Sequence, residues 1–165
     1  MSPGTPKNVA GAIGAAGKLV GRTKLQKTFC LLELAGEGFG FRFDYYKFGP
    51  YSEDLSLVVD RAIDLGYLNE EVTRAHWGGR YSTYRSAINC ELSPRAKQFI
   101  ECSAKEDAVV LELAVTAAFL STQGSENAWL EVQERKPEKA TQQNLSKART
   151  FLGRFPEFEN LATVR

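Results

Sequence analysis

The chain has 1 histidine in 165 residues, His76. That scarcity removes the familiar routes to catalysis, because a nucleophile needs a base within hydrogen-bond reach and histidine is the usual one. No Ser/His/Asp or Cys/His arrangement can be assembled without His76, which reads as an exposed polar residue at an expected hairpin end. The 3 cysteines, Cys30, Cys90 and Cys102, are odd in number and lack CxxC spacing. Neither a disulfide framework nor a zinc knuckle is indicated, and cysteines in apolar patterns behave as small hydrophobes in a reducing, cytoplasmic setting. No apolar run is long enough to span a bilayer. The Ala/Gly-rich start lacks the cationic and Leu-rich regions of a secretory leader. A phosphate-binding glycine loop is missing as well: around Gly17-Lys18, Ala12 and Leu19 stand where that motif needs Gly and Ser or Thr. We expect no catalytic residue, no cofactor, no metal and no membrane association.

Acidic residues are also unevenly missing. The first 32 residues contain Lys7, Lys18, Arg22, Lys24 and Lys27 but no Asp or Glu, although the net charge of the whole chain is only +1. No general affinity for polyanions follows from that total; only a local patch could supply it. With 43% hydrophobic and 11% aromatic residues the chain can bury a core and is not a disordered tail.

Hydrophobic spacing then places the elements. Small apolar residues predict a first helix over 7–19, weakened by Gly11, Gly14 and Gly17 unless these serve close packing. Thr23 caps a second helix to about Ala35, with Leu25, Thr28, Phe29 and Leu32 forming the buried stripe and Lys24 and Lys27 off it, beside Arg22. Phe41, Phe43 and Tyr45 alternate as a strand that ends in a turn at Gly49-Pro50. Ser52 caps a third helix, favoured by Glu53 and Asp54 near its positive end and stopped by Gly66. A hairpin follows: a strand over 67–75 with Leu68 and Val72 inward, a turn at Gly78-Gly79, and a strand over 81–92 with Tyr84, Ile88, Cys90 and Leu92 on one face. Ser93-Pro94 opens a fourth helix. Between Ala108 and Leu120 the chain is apolar almost all round except for Glu112; either the domain wraps this helix or part of it forms a homodimer contact. Ala128, Trp129 and Val132 mark a short helix, and Leu145, Ala148, Leu152 and Phe155 a last one. The expected class is α+β, mostly α. The order of elements is that of a winged helix-turn-helix core (7–100, with the hairpin as its wing) carrying a C-terminal helical extension (101–165).

Two motifs, Gly21-Arg22-Thr23-Lys24-Leu25-Gln26-Lys27 and Phe48-Gly49-Pro50-Tyr51-Ser52-Glu53-Asp54-Leu55, resemble those of the YwgA-like winged-helix proteins of prokaryotes. More distantly the chain is similar to the Panacea (SocA-like) antitoxin domain, although Tyr51 departs from the Val common after that domain's Gly-Pro. The resemblance covers residues 21–68 best and implies a small winged-helix protein without known catalytic residues. It also implies an association with transcriptional regulation, toxin neutralisation or defence.

Function is therefore expected to be binding. The third helix is the topological candidate for a DNA major groove, but Glu53, Asp54, Asp60 and Asp64 against Arg61 would repel phosphates. Two basic regions remain: the start of the second helix (Arg22, Lys24, Lys27), and the wing, with Arg74, Arg80 and Arg85 interleaved with Trp77, Tyr81 and Tyr84. Arginines on a hairpin can enter a minor groove and aromatics can stack on bases. The same residues, with the acidic helix, suit a protein partner. The plainer alternatives are a solvated basic face, a Tyr84 that belongs to the core and a Trp77 that covers the turn.

Overall fold

Thr5 starts the first helix by accepting the Asn8 N–H on its hydroxyl at 3.1 Å, with Pro6 at the first helical position. The computed structural model describes residues 4–162. It is α+β and mostly helical. In chain order its N-terminal half comprises α1 (Pro6–Ala15), β1 (Lys18–Val20), α2 (Arg22–Leu34), β2 (Asp44–Tyr46), β3 (Gly49–Tyr51), α3 (Glu53–Asp64), β4 (Leu68–Arg74) and β5 (Arg80–Ser86). Then come α4 (Pro94–Lys105), α5 (Ala108–Thr122), α6 (Ala128–Arg135), α7 (Gln142–Leu152), a short 3-10 turn and α8 (Glu159–Ala162).

The first helix is shorter than its composition suggests. Gly17 leaves it with positive φ, and Lys18–Val20 extends as β1 against β5, with Leu19 opposite Tyr84. The sheet has 3 antiparallel strands in the order β1-β5-β4. The helical glycines are packing residues. A β-carbon on Gly11 would fall 2.5 Å from Cys90 Sγ, and one on Gly14 would fall 2.8 Å from the Ile88 carbonyl.

Three strand expectations need correction. The break expected at Gly49-Pro50 lies earlier, at Lys47-Phe48, and Gly49–Tyr51 is itself a strand paired with Asp44–Tyr46. Pro50 is tolerated there because the pair is an isolated 2-stranded ribbon, where a missing N–H costs little. The last hairpin strand stops at Ser86 instead of running to Leu92. The Ser86 hydroxyl accepts the Ile88 N–H and donates to the Ile88 carbonyl, turning the chain back over α1. Val72 shares the face of Leu68 but is exposed, because the core reaches along that face only as far as Leu68 and Tyr84.

The centre of the molecule is α5. Val110 through Leu120 are all buried, enclosed by α2 and β3 and by α6 and α7. The chain wraps residues 110–120 of this helix, the first of the two alternatives left open by its composition. Behind it Phe99 of α4 stacks on Phe155 at 4.3 Å, and the Trp129 indole N–H donates to the Leu161 carbonyl at 2.8 Å, tying α6 to the last helix.

Candidate functional site

The two sequence motifs meet in space. The Gln26 side chain reads both backbone groups of Ser52: its Nε2 donates to the Ser52 carbonyl at 3.0 Å and its Oε1 accepts the Ser52 N–H at 2.8 Å. The same amide donates to Ser56 Oγ at 3.1 Å. One residue on, Lys27 Nζ donates to the Pro50 carbonyl at 2.7 Å. Ser52 Oγ in turn accepts the Leu55 N–H at 3.1 Å and starts α3. Lys-Leu-Gln-Lys and Gly-Pro-Tyr-Ser are thus the two halves of one buried joint, in which α2 satisfies the backbone of the β3–α3 corner.

This overturns the placement of Lys24 and Lys27 on a contact surface. Lys27 is 2% exposed, and Lys24 is half-buried with its Nζ on the Ala104 carbonyl at 3.0 Å. The reason is that α2 is covered on more than one side, by α4 as well as by β3 and α5. Positions off its apolar stripe are therefore interior too; Gln26, Lys27, Cys30 and Leu31 are all buried. Burial pulls the Lys27 ammonium down to about 8, with Glu112 opposing and Lys136 and Lys139 assisting.

Glu112 is the counter-charge of this interior. Its Oε2 accepts from Lys136 Nζ at 2.9 Å, and both its oxygens accept from Lys139 Nζ at 3.1 and 3.0 Å. Glu112 and Lys136 are both buried, while Lys139 is half-exposed. The Thr116 hydroxyl, one turn along α5, is buried with no hydrogen-bond partner. Sequence reading singled out Glu112 but not Lys136 or Lys139. The available signal was physical: a carboxylate inside an apolar helix requires cations from elsewhere.

The hairpin is organised differently. Its register sets Arg74 opposite Arg80, Thr73 opposite Tyr81 and Asn69 opposite Arg85. Side chains alternate across a sheet. Arg74 and Arg80 therefore share the face of Leu68 and Tyr84, whereas Tyr81 and Arg85 lie on the other face beside Lys18 and Val20 of β1. The structure divides the expected wing residues between two faces. Arg85 is 3.8 Å from Glu71, and Arg22 is 3.9 Å from Glu70. Arg74 and Arg80 form no ion pair among the described residues. Trp77 at the tip is 68% exposed, His76 is exposed, and Tyr84 is a core residue.

Among the described residues, no group of His, Cys, Asp and Glu is placed to hold a metal ion, and no helix is long and apolar enough to cross a membrane. No protein-family model matches the chain, and no solved structure matches it. The chain is similar to the uncharacterized protein YwgA of Bacillus subtilis (strain 168), with 33% identity over 73 residues. That likeness covers 44% of this chain and 42% of the relative, so the chain spans less than half of the relative's length. It supports a YwgA-like kinship over the matched part.

Proposed function

We propose that residues 7–100 form a winged-helix unit, carrying 101–165 as a helical extension, and that the chain is a non-catalytic module that binds a protein partner. The order helix, strand, helix, helix, strand, strand, with the β2–β3 ribbon inserted between the second and third helices, supports the first part, as does a sheet whose first strand lies beside the last. The observation that carries the second is exposed apolar surface set among charges. Trp77, Tyr81 and Val72 stand out from the hairpin, and Leu57, 67% exposed, and Leu65 stand out from the acidic α3. Aromatic and arginine side chains are the usual anchors of protein interfaces. The exposed carboxylates of α3 suit a cationic partner, and Arg85 of the hairpin and Arg22 at the start of α2 already have carboxylate neighbours. A regulatory or assembly role, antitoxin-like or within a defence complex, fits such a surface.

The test is purification of the tagged chain from its own host, with light scattering on the eluted species. A stoichiometric complex that is lost on Trp77→Ala with Arg80→Ala, in a variant of unchanged circular dichroism, is the expected result. A solitary chain at native expression would overturn the reading.

One observation favours a second reading, nucleic acid at the hairpin tip. Arg74 and Arg80 face each other beside Trp77 and His76 without carboxylate partners, an arrangement that fits a minor groove or unpaired bases. The basic start of α2 no longer contributes, apart from Arg22. Here affinity for duplex or single-stranded DNA should fall steeply with salt and weaken on Arg74→Ala or Arg80→Ala. Absence of any retention at low salt would exclude it.

A further inference from the structure

A cavity of about 240 Å3 opens between the β2–β3 turn and the α6–α7 connection, lined by Lys47, Phe48, Arg135, Lys136, Glu138 and Lys139. The charge around it does not balance. Lys27, Lys47, Arg135, Lys136 and Lys139 meet the carboxylates of Glu112, Glu131 and Glu138, and Glu131 is already held by Arg135 at 2.8 Å. The imbalance is concentrated at the buried end, where Lys27, Lys136 and Lys139 share the one carboxylate of Glu112. Each ammonium has three N–H donors, and only part of that capacity is used. Lys27 gives one bond to the Pro50 carbonyl, Lys136 gives one to Glu112, and Lys139 is shared between the two Glu112 oxygens. Beside them the Thr116 hydroxyl is buried and unpaired. Uncompensated positive charge in a low-dielectric region is costly, and a bound anion is the direct way to relieve it.

The wall beside the lysines is aromatic. Phe48 is more than half exposed, an unusual position for a large apolar ring, and it is flanked by Lys47 at 5.5 Å and Lys139 at 5.2 Å from its centroid. A buried cation, Lys136, a half-exposed one, Lys139, and an apolar ring thus converge on one opening wide enough for a tetrahedral oxyanion.

We propose that this cavity binds a phosphate group, with Lys136 and Lys139 as its anchors and Phe48 as an apolar wall for whatever carries the phosphate. The site uses no residue of the β4–β5 hairpin, so it stands or falls independently of partner binding there.

Inorganic phosphate and adenosine monophosphate, titrated at constant ionic strength against chloride, provide the test, read by calorimetry and by amide shifts of the labelled protein. Saturable binding is expected, with shifts centred on residues 47–48 and 135–139. Because Lys136 is the buried partner of Glu112 and its variants risk unfolding, the diagnostic changes are Lys139→Gln, at the half-exposed partner and read only where circular dichroism is unchanged, and Lys47→Gln, at an exposed residue outside that cluster. Lys139→Gln should weaken binding about tenfold or more, the effect of one charge-assisted hydrogen bond. Phe48→Ala separates the ligand sources. A loss for adenosine monophosphate alone assigns an organic phosphate, and equal affinities untouched by Phe48→Ala assign the free oxyanion. No saturable binding of either probe, or unchanged binding in both lysine variants, would overturn the site.

Discussion

The joint between α2 and the β3–α3 corner and the β4–β5 hairpin both gather polar and aromatic residues, and they do so under opposite constraints. In the joint, Gln26, Lys27, Ser52 and Glu112 are each almost wholly buried, or in the last case buried and ion-paired, and all have named partners. In the hairpin, Trp77 and Val72 project into solvent, and Arg74 and Arg80 lie unpaired among the described residues. The first region contains the residues by which the resemblance is recognised, and Gln26, Lys27, Pro50 and Ser52 among them each hold the joint together. The second has no motif and no structural task for its tip. Recognisable sequence therefore mainly marks the fold here, while the surface proposed to meet a protein partner lies outside it.

The comparison breaks hardest at Glu112. Glu112→Gln removes the carboxylate shared by Lys136 and Lys139 and leaves Lys27 without its opposing charge. Stranding a buried ion-pair partner typically costs about 3–5 kcal/mol, which is a large part of the stability of a small domain. Urea denaturation should show that loss, and a change below about 1 kcal/mol would mean that the cluster is solvated rather than buried.

Gly49→Ala comes next, and it tests the joint through its backbone. Gly49 has φ +96°, a region that side chains rarely adopt, and its added β-carbon would meet Thr116 Oγ1 at 2.8 Å. Strain and clash together should cost about 2–3 kcal/mol. Gly78→Ala is the control in the hairpin. Its φ is also positive, at +95°, but its β-carbon meets nothing, so the loss should be smaller by the clash alone.

Much of this contrast was legible in the residues, in an uneven way. Ser52 and Ser93 were readable as caps and Gly66 as a stop, because those signals are local and the groups involved lie within a few residues. The hairpin was readable for the same reason. β1 was not, since 3 residues flanked by glycine carry no periodicity and gain strand character only from β5, more than 60 residues away in the chain. The burial of Lys27 was hidden because an amphipathic reading assumes one buried face, and α2 is enclosed on several. Lys136 and Lys139 reach Glu112 across 24 and 27 residues, a pairing no local pattern encodes. The hairpin's composition marked it as a candidate surface, but only the register revealed that its arginines point to two sides.

A smaller effect should appear with pH. The Lys27 ammonium, lowered by burial to about 8 from 10.5, loses its proton in the folded chain before the unfolded one does. Above about pH 8 the unfolded state therefore holds more protons at this site, and stability rises with pH. Lys24, also lowered by burial, acts in the same direction. Cys30, which faces Lys27, acts oppositely. Burial raises its thiol from 9.0 to about 12, so from pH 9 upward the folded state holds the extra proton and stability falls. A rise of about 1 kcal/mol between pH 8 and 9, followed by a plateau, is expected from urea midpoints, since one pKa unit is worth about 1.4 kcal/mol. Lys27→Met should abolish most of the rise, and Cys30→Ala should extend it towards pH 10.5.

The smallest expected change is also the most informative about function. The Trp77 ring lies over Gly79 of its own turn, away from the core, and the tip is held by its backbone, with the Ala75 N–H on the Gly79 carbonyl at 2.7 Å and the Gly78 N–H on the Ala75 carbonyl at 3.0 Å. Trp77→Ala and Arg80→Ala should each alter stability by less than about 0.5 kcal/mol, the range of ordinary surface substitutions. A loss comparable to that of Gly49→Ala would show that the tip folds back on the domain, and would remove the reason for treating it as a free surface. If stability is kept while complex formation is lost, the division holds: one region is buried to build the fold, and the other is left exposed to meet a partner.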